Sequence, residues 1–151
     1  MIDMNEVLTN TLAAIDTEFV LQTHSTNPLI TSQTLDRAIS RFLESLPHHD
    51  SLFSATKLQQ RLWDTGGNPI NHSPDILVRT QDLSPIWVEN SCIYIFSKTK
   101  FLELGRRIGE SPLIFETPLT ESLDIDSEED FALAEAAFHR TQDPVGKASY
   151  V

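Results

Sequence analysis

Apolar residues change their spacing repeatedly along this chain, and the order of those changes restricts the fold to a small set. Met4, Val7, Leu8, Leu12 and Ile15 fall at helical spacing and predict an amphipathic helix over about 3–15. Glu18 to Gln22 is a short apolar run with a β-branched member, the mark of a buried strand. Leu35, Ala38, Ile39, Phe42, Leu43 and Leu46 return to the helical rhythm, with Thr31 or Ser32 placed to cap it. Ser51 to Thr56 and Trp87 to Phe96 read as core strands, and Leu113 to Glu116 as a short one. Ser97 caps a short helix that ends at Gly105. A last helix runs from Ser127 to Phe138, followed by a tail over 139–151 without periodicity, expected to be flexible. Between the second and third strands, Leu58–Asp64 and Pro69–His72 flank Thr65-Gly66-Gly67-Asn68 and predict a hairpin with a Gly-Gly tip, the element spanning about 58–80. Alternation of helix and strand predicts an α/β sheet with helices on its faces.

Composition narrows the function. Twenty-two acids against eleven bases give a formal net charge of −11. Nucleic acid is excluded as a partner, because Lys and Arg supply that affinity. An anionic substrate needs a local basic pocket, a divalent metal, or both. No apolar run is long enough to cross a bilayer, so no membrane association is expected. Met1 to Glu6 carries acids and no base, unlike a secretory signal. The single cysteine, Cys92, sits in an apolar run, and the cytoplasm is the expected compartment.

The chemistry-bearing residues cluster. Glu116, Glu121, Asp124, Asp126, Glu128, Glu129 and Asp130 follow one another without a base between them. If Leu123–Asp126 is extended, Asp124 and Asp126 share a face about 7 Å apart at the backbone, with Ile125 turned to the core. Such a pair can hold one Mg²⁺, water completing its shell. Ser127-Glu128-Glu129-Asp130 has equally the form of a helix capping box, and both readings can hold at once. His24-Ser25-Thr26-Asn27 follows the first strand, where open α/β sheets bind ligands, and is also ordinary turn chemistry. Arg79 lies in a loop and can fork a carboxylate or phosphate; an exposed arginine is also commonly just solvated. Glu89-Asn90-Ser91 interrupts the long strand and marks a bulge or a ligand-facing stretch. His48-His49-Asp50 has no second ligand pair at metal spacing and reads as a loop.

In order, Thr26-Asn27-Pro28-Leu29, Asp50-Ser51, Arg79-Thr80-Gln81-Asp82, Glu89-Asn90-Ser91-Cys92-Ile93-Tyr94 and Asp124-Ile125-Asp126 resemble the acylneuraminate cytidylyltransferases, the CMP-sialic acid synthetase family, over about residues 4–138. The resemblance implies part of a Rossmann-like nucleotidyltransferase domain over 1–138, with a mixed, mostly parallel sheet and a projecting β-hairpin that makes a homodimer. It implies transfer of CMP from CTP to an acidic nine-carbon 2-keto sugar, releasing diphosphate. Mg²⁺ is the implied cofactor, with Asp124 and Asp126 as metal and catalytic carboxylates. His24, Thr26, Asn27, Arg79, Gln81, Asn90 and Tyr94 are the implied substrate-binding residues. His24 stands where the family usually has Gln, Asn27 replaces Ser, Ile30 replaces Arg, and Ser91-Cys92 replaces Gly-Ala. These differences extend the expected sugars to legionaminic- or pseudaminic-type acids. The Q-G-D-E-P motif of the eight-carbon-sugar synthetases is absent. Nothing matches the family's opening strand and phosphate-binding loop, so the chain is expected to be incomplete and weakly active or inactive alone. The alternative is an inactive remnant or dimerisation module of the same family.

Overall fold

The computed structural model describes residues 4–142. Its strands are β1 (Phe19–Thr23), β2 (Ser51–Leu58), β3 (Ile86–Ser97) and β4 (Pro112–Glu116). Its α-helices are α1 (Met4–Ala13), α2 (Ser32–Ser45), α3 (Lys98–Leu104) and α4 (Glu128–Gln142). The four strands form one sheet in the order β1-β3-β2-β4. β3 is antiparallel to both β1 and β2, while β2 and β4 are parallel. Thus β1, β2 and β4 all point one way, and β3 is inserted against them.

Strand alternation sends side chains to two cores. On one face α2 packs Ala38 and Phe42 against Leu52, Ile93 and Ile95, with Phe19, Leu113 and Phe115 at the margin. The Phe19 and Phe42 rings meet edge-to-face at 5.3 Å. On the other face Leu12 of α1 and Phe101 of α3 cover Tyr94 and Phe96, with Val20, Phe53 and Ile108 beside them. The order could not be read from periodicity, because β1 and β2 meet only through a strand that follows them by some thirty residues or more.

Helix ends behave as the sequence implies. Thr31 Oγ1 accepts from Thr34 N–H at 3.2 Å at the start of α2, and its own N–H donates to Glu121 at 3.0 Å. Ser97 caps α3, and Gly105 ends it with φ +68°. At α4, Asp130 N–H donates to Ser127 Oγ while the Asp130 carboxylate accepts from Ser127 Oγ (2.7 Å) and Asp126 N–H (3.3 Å). Ser127 therefore caps the helix as the sequence implies, while the return bond of the box goes to Asp126 N–H, one residue before the cap. These bonds, with the Ser127 hydroxyl first, hold the Asp130 carboxyl below its ordinary pKa.

Three boundaries differ from expectation. α1 stops at Ala13, and α4 continues past Phe138 to Gln142, with His139 and Arg140 favouring its carbonyl end; residues 143–151 of the expected tail lie outside the described residues. The hairpin is the larger difference. β2 and β3 pair out to Leu58 and Ile86, but beyond them only Trp63 and Pro69 form a bridge. Pro69 has no N–H to give, and no third strand lies alongside to hold a longer ladder. The tip is instead organised by Asp64, whose carboxylate accepts from the N–H of Gly66 (2.8 Å) and Asn68 (2.7 Å), with Gly67 at φ +80°.

Candidate functional site

Because β1, β2 and β4 are co-directional, their carboxyl ends lie together, and the amino half of antiparallel β3 lies among them. His24-Ser25-Thr26-Asn27 leaves β1 there, and Thr117 leaves β4 with its N–H on Ala55 O at 3.2 Å. The segment holding Asp124 returns to the same place. Ile125 N–H donates to Thr26 O at 2.9 Å, and Asn27 Nδ2 donates to Leu123 O at 3.2 Å. Open α/β sheets bind their ligands at this end.

Asp124 and Asp126 are not equivalent. Asp126 is exposed, whereas Asp124 is half-buried and its Oδ1 is covered without a hydrogen-bond partner. Asn27, 1% exposed, likewise has an unpartnered Oδ1. Covered acceptor oxygens without donors are costly unless a cation or a donor reaches them. Among the described residues no group of three or more His, Cys, Asp or Glu side chains is gathered for a metal. An ion on Asp124 and Asp126 would therefore complete its shell with water or substrate oxygens, as Mg²⁺ does.

Asn90 has a different setting from the one its motif implies. Its Oδ1 accepts from Ser54 Oγ (2.6 Å) and Cys92 N–H (3.3 Å). Its Nδ2 faces the hydroxyls of Thr117 (2.6 Å), Thr56 (2.9 Å) and Ser122 (3.1 Å). Every polar atom of the amide is engaged within the protein, and the residue ties β2, β3 and the segment after β4 together. Ser91 beside it adopts φ +59°, an uncommon value for a side chain with a Cβ, and the β2–β3 register shifts here between Phe53 and Ala55. The polar interruption is thus a bulge. Cys92 is wholly buried, and desolvation, then the Asp124 and Glu121 charges, push its thiol up to about 11.

Tyr94 pairs across the sheet with Gln22, so Gln22 and His24 continue its face of β1. The Tyr94 hydroxyl donates to Glu89 and lies 3.1 Å from Ser91 Oγ. Burial, then the Glu89 hydrogen bond, raises the Tyr94 pKa. Over the ring stands Arg107, its guanidinium carbon 4.0 Å from the centroid, while its Nη1 donates to Gln22 Oε1 at 3.3 Å. Gln22 Nε2 in turn lies 3.3 Å from His24 Nε2. Neither Arg107 nor Gln22 was among the expected site residues. Gln22 was visible as a polar residue two places before His24, but nothing local marked Arg107.

Arg79 and Gln81 stand apart. The Arg79 side chain is 74% exposed and pairs with Asp82 at 2.8 Å. Gln81 is exposed, and its carbonyl accepts from Gln59 at 3.1 Å, at the root of the arm. No hydrogen bond or ion pair among the described residues joins either one to His24, Asn27, Asn90 or Asp124. Thr26 is exposed and contributes its carbonyl to the site's backbone frame.

No protein-family model matches the chain, and no curated protein does either. Among solved structures it is similar to the 4-diphosphocytidyl-2C-methyl-D-erythritol synthase of Anaerococcus prevotii. The TM-score is 0.62 at 14% identity, over 93% of this chain and 68% of that one. At that identity the likeness speaks for the fold alone: this chain shares the mixed α/β fold of that synthase.

Proposed function

We propose that the chain belongs to a nucleotidyltransferase that moves CMP from CTP to an acylneuraminate-type 2-keto acid sugar, releasing diphosphate, with Mg²⁺ held by Asp124 and Asp126. The observation that carries this reading is the covered, donor-free Oδ1 of Asp124 at the carboxyl ends of three co-directional strands. It is supported by the ordered motifs and by the fold shared with an enzyme whose name places a cytidyl diphosphate in its product. When bound, Mg²⁺ supplies charge neutralisation for the triphosphate. Asn27, Thr26 and Asn90 fix the backbone around the carboxylates, and His24 stands on the sugar side, with the buried Tyr94 seating Arg107 beside it.

Homodimerisation through the arm is part of the proposal. Trp63, Ile70, Ile76 and Leu77 are exposed there, Leu77 by 91%. Past Glu89 the β2–β3 ribbon has no other strand beside it. Apolar side chains on such a ribbon favour a second surface to cover them.

A catalytically inactive dimerisation module of the same family is the second reading, favoured by one observation. The described glycines, 66, 67, 105 and 109, lie in the arm and around the end of α3, and none forms a phosphate cradle after a parallel strand. Two measurements on the purified chain separate the readings. Mn²⁺ should broaden NMR signals around Asp124, Asp126 and His24 in wild type, and Asp124→Asn should weaken that binding about tenfold or more. Mn²⁺ binding elsewhere, or unaltered in Asp124→Asn, overturns the metal assignment. Diphosphate release from CTP and N-acetylneuraminate then supports the enzyme, and metal binding without turnover supports the inactive module.

A further inference from the structure

We propose that Arg107, seated on the Tyr94 ring and held by Gln22, is the residue that binds the carboxylate of the acidic sugar. The inference rests on the nucleotidyltransferase reading for its ligand and goes beyond it in assigning the anion to a residue outside the family-like motifs.

The chain's other described cations with side-chain contacts are committed elsewhere. Arg79 is paired with Asp82 and Lys100 with Glu103. Arg61 donates to Val78 O, and Arg37, held much as Arg107 is by Thr34 and the Phe115 ring, stands with α2 on the opposite face of the sheet from Gln22 and Tyr94. Among the described residues Arg107 has no carboxylate partner. It is half-buried, its plane is fixed by Tyr94 at 4.0 Å, and one N–H is used on Gln22. The remaining donors of a guanidinium form the planar fork that matches a carboxylate. Glu89 is held by the Tyr94 hydroxyl and, among the described residues, makes no ion pair with Arg107. In a protein of net charge −11, an anion needs such a local cation.

The partners reinforce the orientation. A glutamine Nε2 can only donate, so His24 Nε2 accepts and its proton sits on Nδ1, for which no partner appears among the described residues. Guanidinium and imidazole N–H thus stand along one chain, Arg107–Gln22–His24, above the buried Tyr94 ring that seats the arginine.

The test is calorimetric binding of N-acetylneuraminate and its neutral methyl ester to the full chain at fixed salt. Wild type should prefer the acid by about tenfold to a hundredfold. Arg107→Gln should lose that preference, Arg107→Lys should keep part of it, and Arg106→Gln, the same charge change on the exposed neighbour, should keep it all. Thermal melting of each variant confirms folding. The assignment is overturned if wild type does not distinguish acid from ester, if Arg107→Gln retains the distinction while folded, or if Arg107→Gln weakens CTP instead, which would make the anion a phosphate. Loss of Mn²⁺ and CTP binding in wild type with the acid preference intact would sink the nucleotidyltransferase reading and leave Arg107 as a carboxylate site.

Discussion

Replacing Asn90 by alanine tests whether this residue holds the site together or touches substrate. The side chain is the sole acceptor for the Ser54 hydroxyl proton, because Ser54 Oγ already receives Ile93 N–H at 2.8 Å. Ser54 and Cys92 are wholly buried. Truncation therefore orphans two covered donors, the Ser54 hydroxyl and Cys92 N–H, at about 1–3 kcal/mol each. The Thr56, Thr117 and Ser122 hydroxyls lose less. Thr117 and Ser122 already bond each other at 2.8 Å, so about 1 kcal/mol covers them. The sum is about 5 kcal/mol, or a fall in Tm of about 15 °C for a chain of this size. Urea unfolding of wild type and Asn90→Ala should show a lower midpoint at an unchanged slope. A loss under about 1 kcal/mol, combined with a large fall in sugar affinity, would refute the network and restore Asn90 as a direct ligand.

Other outcomes follow from the loop after α3 and from the buried thiol. A Cβ at Gly109 would lie 2.3 Å from Asp50 Oδ1, so Gly109→Ala must displace the carboxylate that accepts from Glu110 N–H (2.9 Å) and Ser111 N–H (3.1 Å). It should cost about 2 kcal/mol by denaturant titration, and a neutral result would contradict the tight approach. Partial burial pushes the Asp50 pKa up, but the Glu110, Ser111 and Ser51 hydrogen bonds outweigh it and the net shift is down. Its contribution is therefore present above pH 3.8 and lost as pH falls through the lower folded value; Asp50→Asn should flatten the acid limb of stability against pH. Cys92, with its pKa at about 11, should stay unmodified by a disulfide reagent at pH 8 in the folded chain and react within minutes in urea. Rapid labelling of the native protein would contradict its burial.

Local signals carried far in this chain. Periodicity located every strand of the sheet, and the caps at Thr31, Ser97 and Ser127 were legible because each depends on residues three positions away. Sequence reading stopped where partners are distant. The insertion of β3 between β1 and β2 depends on pairings such as Gln22 with Tyr94. The Arg107–Gln22 contact spans a comparable separation and leaves no spacing rule to find. A polar break in an apolar strand points to a bulge or to a ligand-facing stretch, and only the family resemblance makes Asn90 a ligand. The polar partners it meets, Ser54 and Thr117, come from other strands and were invisible locally. In the arm the Gly-Gly turn does reverse the chain, with Asp64 N–H on Asn68 O and Ile70 N–H on Leu62 O, but a turn signal does not set how far the ladder runs on either side of it.

β3 is one uninterrupted piece of backbone from the root of the arm to the start of α3. Its outer end, Ile86–Glu89, carries the ribbon, and its inner end, Ile93–Ser97, is clamped between β1 and β2. Ser91, with its unusual φ, is the fulcrum between them, and Asn90 and Tyr94 sit one and three residues from it. One strand thus carries both the root of the arm and the Tyr94 ring on which Arg107 rests, with the irregular turn at Ser91 as the joint between them.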